Sequence, residues 1–203
     1  MLEHSKPERG KPEASKPRCG NGSPSLTRTT IHVGAKFDLE QVAFIGADGS
    51  AVVREVVRHP GAVVVLPLIE IDGAPGIVLI KNFRLSIGDS LWELPAGTRE
   101  PGEDPLMCAA RELQEETGYQ AATIEPFGWY HLSPGMTDER MFAFVASNLR
   151  RVGQRTEVDE FISVHPMHVD DVLRMISSGE IVDAKTIATV LRWRHAQNHP
   201  CKG

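Results

Sequence analysis

The chain has 203 residues, 41% of them hydrophobic and 24% charged, with a formal net charge of −5. That is ordinary for one soluble globular domain with a small appendage, and an acidic balance gives no electrostatic basis for binding nucleic acid. Three cysteines (Cys19, Cys108, Cys201) without a CxxC spacing argue against a disulfide framework or zinc site and point to a reducing cytoplasm. The eight histidines show no ligand spacing. The longest apolar run, Ala62 to Ile69, is eight residues broken by Pro67, against the roughly 20 that a membrane span needs. An apolar export signal is likewise missing at the N-terminus.

Residues 1–28 are rich in Lys, Pro, Gly and Ser, with Lys-Pro recurring at 6–7, 11–12 and 16–17. Such a segment cannot bury a core and is expected to be a disordered tail. Residues 29–59 form a β-rich segment in which Val42–Ile45, a turn at Gly46–Ser50 and Ala51–Arg58 predict a hairpin or small meander. A lone hairpin is marginal in water, so it should pack on something, a second subunit being one option. The main domain is expected over 60–198, with 199–203 as a short tail. It opens with two apolar runs, Ala62–Glu70 and Gly76–Phe83, around a turn at Asp72–Gly76. Continuous apolarity predicts strands buried on both faces and therefore covered by helices. Lys81–Arg84 ends the second strand, and Leu91–Ala96 leads into the next helix.

That helix is predicted from about Pro105 to Glu116. Asp104 suits the N-cap, Pro105 the first position and Gly118 the stop. Leu106, Ala109, Ala110 and Leu113 recur at helical spacing as an apolar stripe. Glu112, Glu115 and Glu116, at i, i+3 and i+4, converge on the other face. They repel one another and sit where the helix dipole disfavours negative charge. The arrangement reads either as a solvated acidic helix end or as a site for a compensating cation. Carboxylate oxygens favour Mg²⁺ or Mn²⁺ over zinc. Arg111, four residues before Glu115, neutralises and orients part of the cluster. Cys108 reads as a small packed residue.

Beyond the helix, Thr123–Tyr130 and Arg140–Ser147 predict two strands around a polar loop, His131–Glu139. The acidic loop Gln154–Glu160 precedes a short strand, Phe161–Val164. The chain closes with helices over Val169–Ser178, stopped by Gly179, and Ala184 to about Gln197, capped by Asp183.

The stretch G-x5-E-x7-R-E-L-x-E-E-x-G-Y, from Gly97 through Glu103, Arg111, Glu112, Leu113, Glu115, Glu116 and Gly118 to Tyr119, resembles the Nudix box of the Nudix hydrolase superfamily. Tyrosine at the last place is the one departure, since aliphatic residues are more usual there. The resemblance implies an α/β fold: an α/β/α sandwich with a mixed sheet, here preceded by a small N-terminal antiparallel β segment. It implies Mg²⁺-dependent hydrolysis of a nucleoside diphosphate linked to another moiety, with Glu112, Glu115 and Glu116 as metal ligands braced by Arg111. Ala96 and Gly97 would form the loop whose backbone carbonyl reaches the metal.

Leu94-Pro95-Ala96-Gly97, and Ser133-Pro134-Gly135 with Glu139, look like the ADP-ribose pyrophosphatase branch, because Pro134 lies sixteen residues past Gly118. That branch implies cleavage of ADP-ribose, or a related ADP-sugar, to AMP and ribose 5-phosphate. ADP-glucose, GDP-mannose or NADH as substrate, or a non-catalytic ADP-ribose-binding module, are the competing readings. In similar enzymes a loop glutamate acts as base or extra ligand, which selects Glu160 first and Glu157 second. Arg84 is either a phosphate ligand or a surface cation. Phe83 stacks on adenine or packs in the core. Pro134, Gly135 and Met136 form a substrate loop in which Glu139 either braces the loop or touches the ribose. Similar ADP-ribose enzymes are homodimers whose N-terminal β segments pack across subunits.

Overall fold

A computed structural model describes residues 24–155 and 161–199. The first three strands, β1 (Thr27–Val33), β2 (Asp38–Ile45) and β3 (Ala51–Arg58), form an antiparallel meander. The β2–β3 connection is tight: Gly46 N–H donates to the Ser50 carbonyl at 2.8 Å, and the Asp48 carboxylate accepts from the Ser50 N–H and hydroxyl. Every residue of β1 is exposed. The meander meets the rest of the chain through the Val57 N–H, which donates to the Met136 carbonyl at 2.9 Å, and through an Arg58–Asp138 ion pair.

The second sheet contains β4 (Ala62–Ile71), β5 (Ala74–Arg84), β6 (Asp89–Glu93), β7 (Ala96–Thr98), β8 (Tyr119–His131), β9 (Arg140–Arg151) and β10 (Ile162–His168). Its main path runs β10-β5-β4-β9-β8, with β4 and β9 parallel and the other neighbours antiparallel. β4 and β5 form a hairpin whose turn is shorter than the sequence predicts. Asp72 (φ 50°) and Gly73 (φ 78°) both take positive φ, as a two-residue hairpin loop requires, and the strand resumes at Ala74. β10 is longer than expected because Pro166 lies on an edge strand, where a missing N–H is tolerated.

Alternation along β4 builds two cores. Val63 and Val65 pack with Phe144 and Ala146 beneath Cys108, Ala109 and Leu113 of helix α1 (Pro105–Thr117). Val64 and Leu66 pack with Ile77 and Leu79 against Val172 of α2 (Val169–Ser178) and Val190 and Trp193 of α3 (Ala184–Asn198). Helices cover both faces of the mixed sheet, as the apolar runs predict, and make the α/β/α sandwich that the resemblance implies.

β4 and β5 pair only near their shared turn, over Leu68–Ile71 and Ala74–Ile77. Where they part, β6 takes over pairing with β5 and β7 with β4. Leu94 and Pro95 join these two short strands, and Val65 N–H donates to the Pro95 carbonyl at 2.9 Å. The split places the chain entering α1 between the two central strands.

Candidate active site

α1 forms as its caps predict. The Asp104 side chain accepts from Leu106 N–H, Pro105 opens the helix, and Gly118 closes it at φ 72°. The apolar stripe needs correction. Leu106 is exposed and Ala110 only half-buried, while Cys108, Ala109, Glu112, Leu113, Glu116 and Thr117 are buried. Glu112 and Glu116 therefore continue the buried face (109, 112, 113, 116) instead of pointing away from it. Hydrophobic spacing alone misses this, because the face crosses from apolar to charged residues without a change of period.

Arg111 is the hub of the cluster. Its Nε and Nη2 donate to the two oxygens of Glu103 at 2.9 and 3.1 Å, and its Nη1 donates to Glu112 at 2.8 Å and Glu115 at 2.9 Å. A fork of this kind is the geometry guanidinium is built for. Hydrogen bonding to Arg111 holds the Glu103 carboxyl down at about 2, against an ordinary 4.5, and Glu103 in turn holds Arg111 firmly protonated. Burial, helped by Glu103, pushes the Cys108 thiol up to about 12, so it is no nucleophile at neutral pH.

Glu116 is 2% exposed, and its Oε2 accepts the Ala96 N–H at 2.8 Å. Ala96 and Gly97, expected as a loop, form the short strand β7 beside β4. At Gly97 an added Cβ would lie 1.9 Å from Glu112 Oε1, so only glycine leaves room for that carboxylate. The C-terminal carbonyls of α1 are also engaged. Gln154 Nε2 donates to the Glu116 carbonyl at 2.8 Å and Arg155 N–H to the Glu115 carbonyl at 3.0 Å. The acidic loop begins at this point; Glu157 and Glu160, the expected bases, lie outside the described residues.

Arg84 is partly exposed but paired. Its Nε and Nη2 pair with Glu93 at 2.7 and 2.5 Å, and Glu93 also accepts from Lys185 Nζ at 2.5 Å. Burial would raise the Glu93 carboxyl, but Arg84 and Lys185 outweigh it and hold the group below its ordinary value. Phe83 is exposed and meets Phe161 edge-on at 6.4 Å. Pro134, Gly135 and Met136 lie exposed in the loop before β9, and the Met136 N–H donates to the Ser133 carbonyl. Glu139 braces that loop through its backbone, its N–H to Thr137 Oγ1 and its carbonyl to the His131 ring. This loop lies toward the start of β4, because Ala62 pairs with both Met141 of β9 and Thr98 of β7.

Among the described residues, no three Asp, Glu, His or Cys side chains converge closely enough to hold a metal as they stand. Glu112 and Glu115 turn to Arg111, and Glu116 to the Ala96 N–H. The donor set still fits a hard divalent cation: three carboxylates stand within five consecutive positions of one helix, beside a glycine whose missing Cβ leaves space.

The family model of the NUDIX domain matches residues 58–190. The chain belongs to the Nudix family. It is 40% identical over 164 residues to the ADP-ribose pyrophosphatase of Bacillus subtilis (strain 168), covering 80% of this chain and 87% of the relative. With the ADP-ribose pyrophosphatase of Mycobacterium tuberculosis (strain ATCC 25618 / H37Rv) it shares 36% over 172 residues, 82% of this chain and 81% of the relative. The fold matches the crystal structure of an ADP compounds hydrolase with a TM-score of 0.74 at 18% identity, covering 88% of this chain and 97% of that one. Nudix hydrolases use divalent cations, in keeping with the carboxylate chemistry of this box. Sequence reasoning missed Gln154, which donates to the Glu116 carbonyl, and Glu93, Lys185 and Thr186, which meet Arg84 and the strand end at Leu94, since these lie on other elements.

Proposed function

We propose that this Nudix hydrolase cleaves the pyrophosphate bond of ADP-ribose, or a closely related ADP-sugar, to AMP and ribose 5-phosphate with Mg²⁺, Mn²⁺ being the alternative ion. The observation that carries the reading is the clustering of Glu112, Glu115 and Glu116 against β7, with Glu112 filling the space that Gly97 leaves open. The two relatives named ADP-ribose pyrophosphatase support the substrate class.

Glu112, Glu115, Glu116 and the Ala96 carbonyl are the groups that would hold the metal. When bound, Mg²⁺ makes water a better nucleophile and offsets charge on the leaving phosphate. Arg111 holds Glu112 and Glu115 side by side through its Nη1. Arg84 takes the diphosphate with the edge of its guanidinium that Glu93 leaves uncovered. Phe83 offers an exposed ring to adenine, and the loop bearing Pro134, Gly135, Met136 and Glu139 borders the sugar. Glu160, with Glu157 second, accepts the proton of the attacking water. The exposed Ile31, Val33, Ile45 and Val53 of the meander support a homodimer through that sheet. No described helix is long and apolar enough to cross a membrane, and the cytoplasm is the proposed site of action.

The test is turnover of ADP-ribose, ADP-glucose, GDP-mannose and NADH, with and without Mg²⁺, beside Glu115→Gln. ADP-ribose should lead, and both metal removal and the variant should abolish it. A lead by GDP-mannose or NADH overturns the substrate assignment, and no turnover at all overturns catalysis. Size-exclusion chromatography at a monomer mass would overturn the dimer.

A further inference from the structure

The proposed reaction leaves unused a buried ion cluster on the far side of Arg84. Glu93, the last residue of β6, is fully buried, and two cations approach its carboxylate from different elements. Arg84, from the end of β5, covers both oxygens with Nε and Nη2, while Lys185, from the first turn of α3, donates to Oε2 alone. Lys185 is itself buried and is tied at 2.9 Å to Asp183, the α3 N-cap. Asp183 also accepts the Thr186 N–H and hydroxyl, and Thr186 Oγ1 accepts the Leu94 N–H at 2.8 Å. The start of α3 therefore grips consecutive residues of one strand end: the side chain of Glu93 and the backbone of Leu94. Two residues further on, the Ala96 N–H meets the box carboxylate of Glu116.

Two consequences follow for Arg84. A carboxylate free to rotate would carry the guanidinium with it, and Lys185 removes that freedom by pinning Oε2 from α3. A carboxylate shared between two cations also cancels less of the charge of either one than a private partner would. Arg84 spends Nε and Nη2 on Glu93, its Nη1 donates to no other described residue, and it is only half-buried.

We propose that Lys185 is a positioning residue for Arg84: by sharing Glu93 from α3, it holds the guanidinium with its uncovered edge and part of its charge available to a diphosphate. This rests on the reading of Arg84 as the phosphate-facing cation of an ADP-sugar pyrophosphatase.

The experiment measures ADP affinity by calorimetry with Mg²⁺, steady-state constants for ADP-ribose, and the Nε–H resonance of Arg84 in wild type and Lys185→Met. In the variant the ADP dissociation constant and the KM should each rise about tenfold, in the range expected for coupled neighbours. kcat should stay within about twofold, and the Arg84 Nε–H signal should move. Lys185→Arg should recover most of the affinity. In an Arg84→Ala background, Lys185→Met should cost nothing further, because Lys185 acts through Arg84. Should Lys185→Met fail to fold, Lys185→Gln, which keeps a donor toward Glu93 but not the charge, should fold and show part of the same loss of ADP affinity. An unmoved Arg84 resonance, unchanged ADP affinity, or a full loss that persists without Arg84 overturns the proposal. A wild type that binds ADP in a Lys185-dependent way yet leaves ADP-ribose intact overturns the pyrophosphatase reading alone.

Discussion

Two charge clusters flank β7, and they are built on opposite principles. Around α1, one guanidinium faces Glu103, Glu112 and Glu115, with Glu116 close behind on the same helix, so negative charge is in excess. Around Glu93, two cations alternate with two carboxylates, Arg84–Glu93–Lys185–Asp183, with Glu93 and Lys185 buried and Arg84 at the edge. The balanced cluster is complete as it stands. We read the unbalanced one as a site that takes an added cation, and that imbalance as what separates a site for chemistry from a site that holds shape.

If this contrast is right, the two clusters should fail differently. The largest effect should come from unbalancing the balanced one. Lys185→Met or Glu93→Gln alone should cost roughly 3–5 kcal/mol of stability, since each strands a buried partner. Urea unfolding measures this, and a loss below about 1 kcal/mol would mean that the cluster is less buried than it looks. Next, Glu116→Gln should lower kcat on the order of 10²–10³-fold, the usual cost of one preorganised electrostatic group. Stability should stay within about 1 kcal/mol, because an amide oxygen still accepts the Ala96 N–H while like-charge repulsion falls. A large drop in stability with preserved turnover would reverse the assignment of the two clusters.

Gly97→Ala sharpens the contrast further. The three atoms nearest its Cβ would all belong to the Glu112 carboxylate, which would have to shift. We expect a kcat loss of about tenfold or more, alongside a higher Mg²⁺ requirement, as second-contact changes at metal sites produce. The melting temperature should hardly move, and a drop of many degrees would show that the backbone cannot accommodate the change.

The smallest effect is in acid. Arg111 holds Glu103 at about 2, below its ordinary 4.5, so their pairing contributes fully above that ordinary value and is lost as pH falls through about 2. Glu103→Gln should therefore flatten the stability curve between pH 4.5 and 2 relative to wild type; identical slopes would remove Arg111 as the cause.

Where chemistry is local, the sequence alone was enough. The caps of α1, Asp104, Pro105 and Gly118, act within a turn of one another, and the spacing of Glu112, Glu115 and Glu116 follows from the helix itself. Arg111 reaches Glu115 for the same reason, and α2 and α3 begin and end where Gly179 and Asp183 place them. The buried β4 announced both covering layers through its continuous apolar run. Tertiary structure decided the rest, because it depends on which distant segments meet. Glu93 and Lys185 stand 92 positions apart and are joined only once α3 packs across the split between β4 and β5. The same packing turns Arg84 from an isolated charge at a strand end into one arm of a network. Burial of Glu112 and Glu116 also escapes periodicity, since a helix face gains its meaning from what lies against it, here the short strand at Ala96 and Gly97.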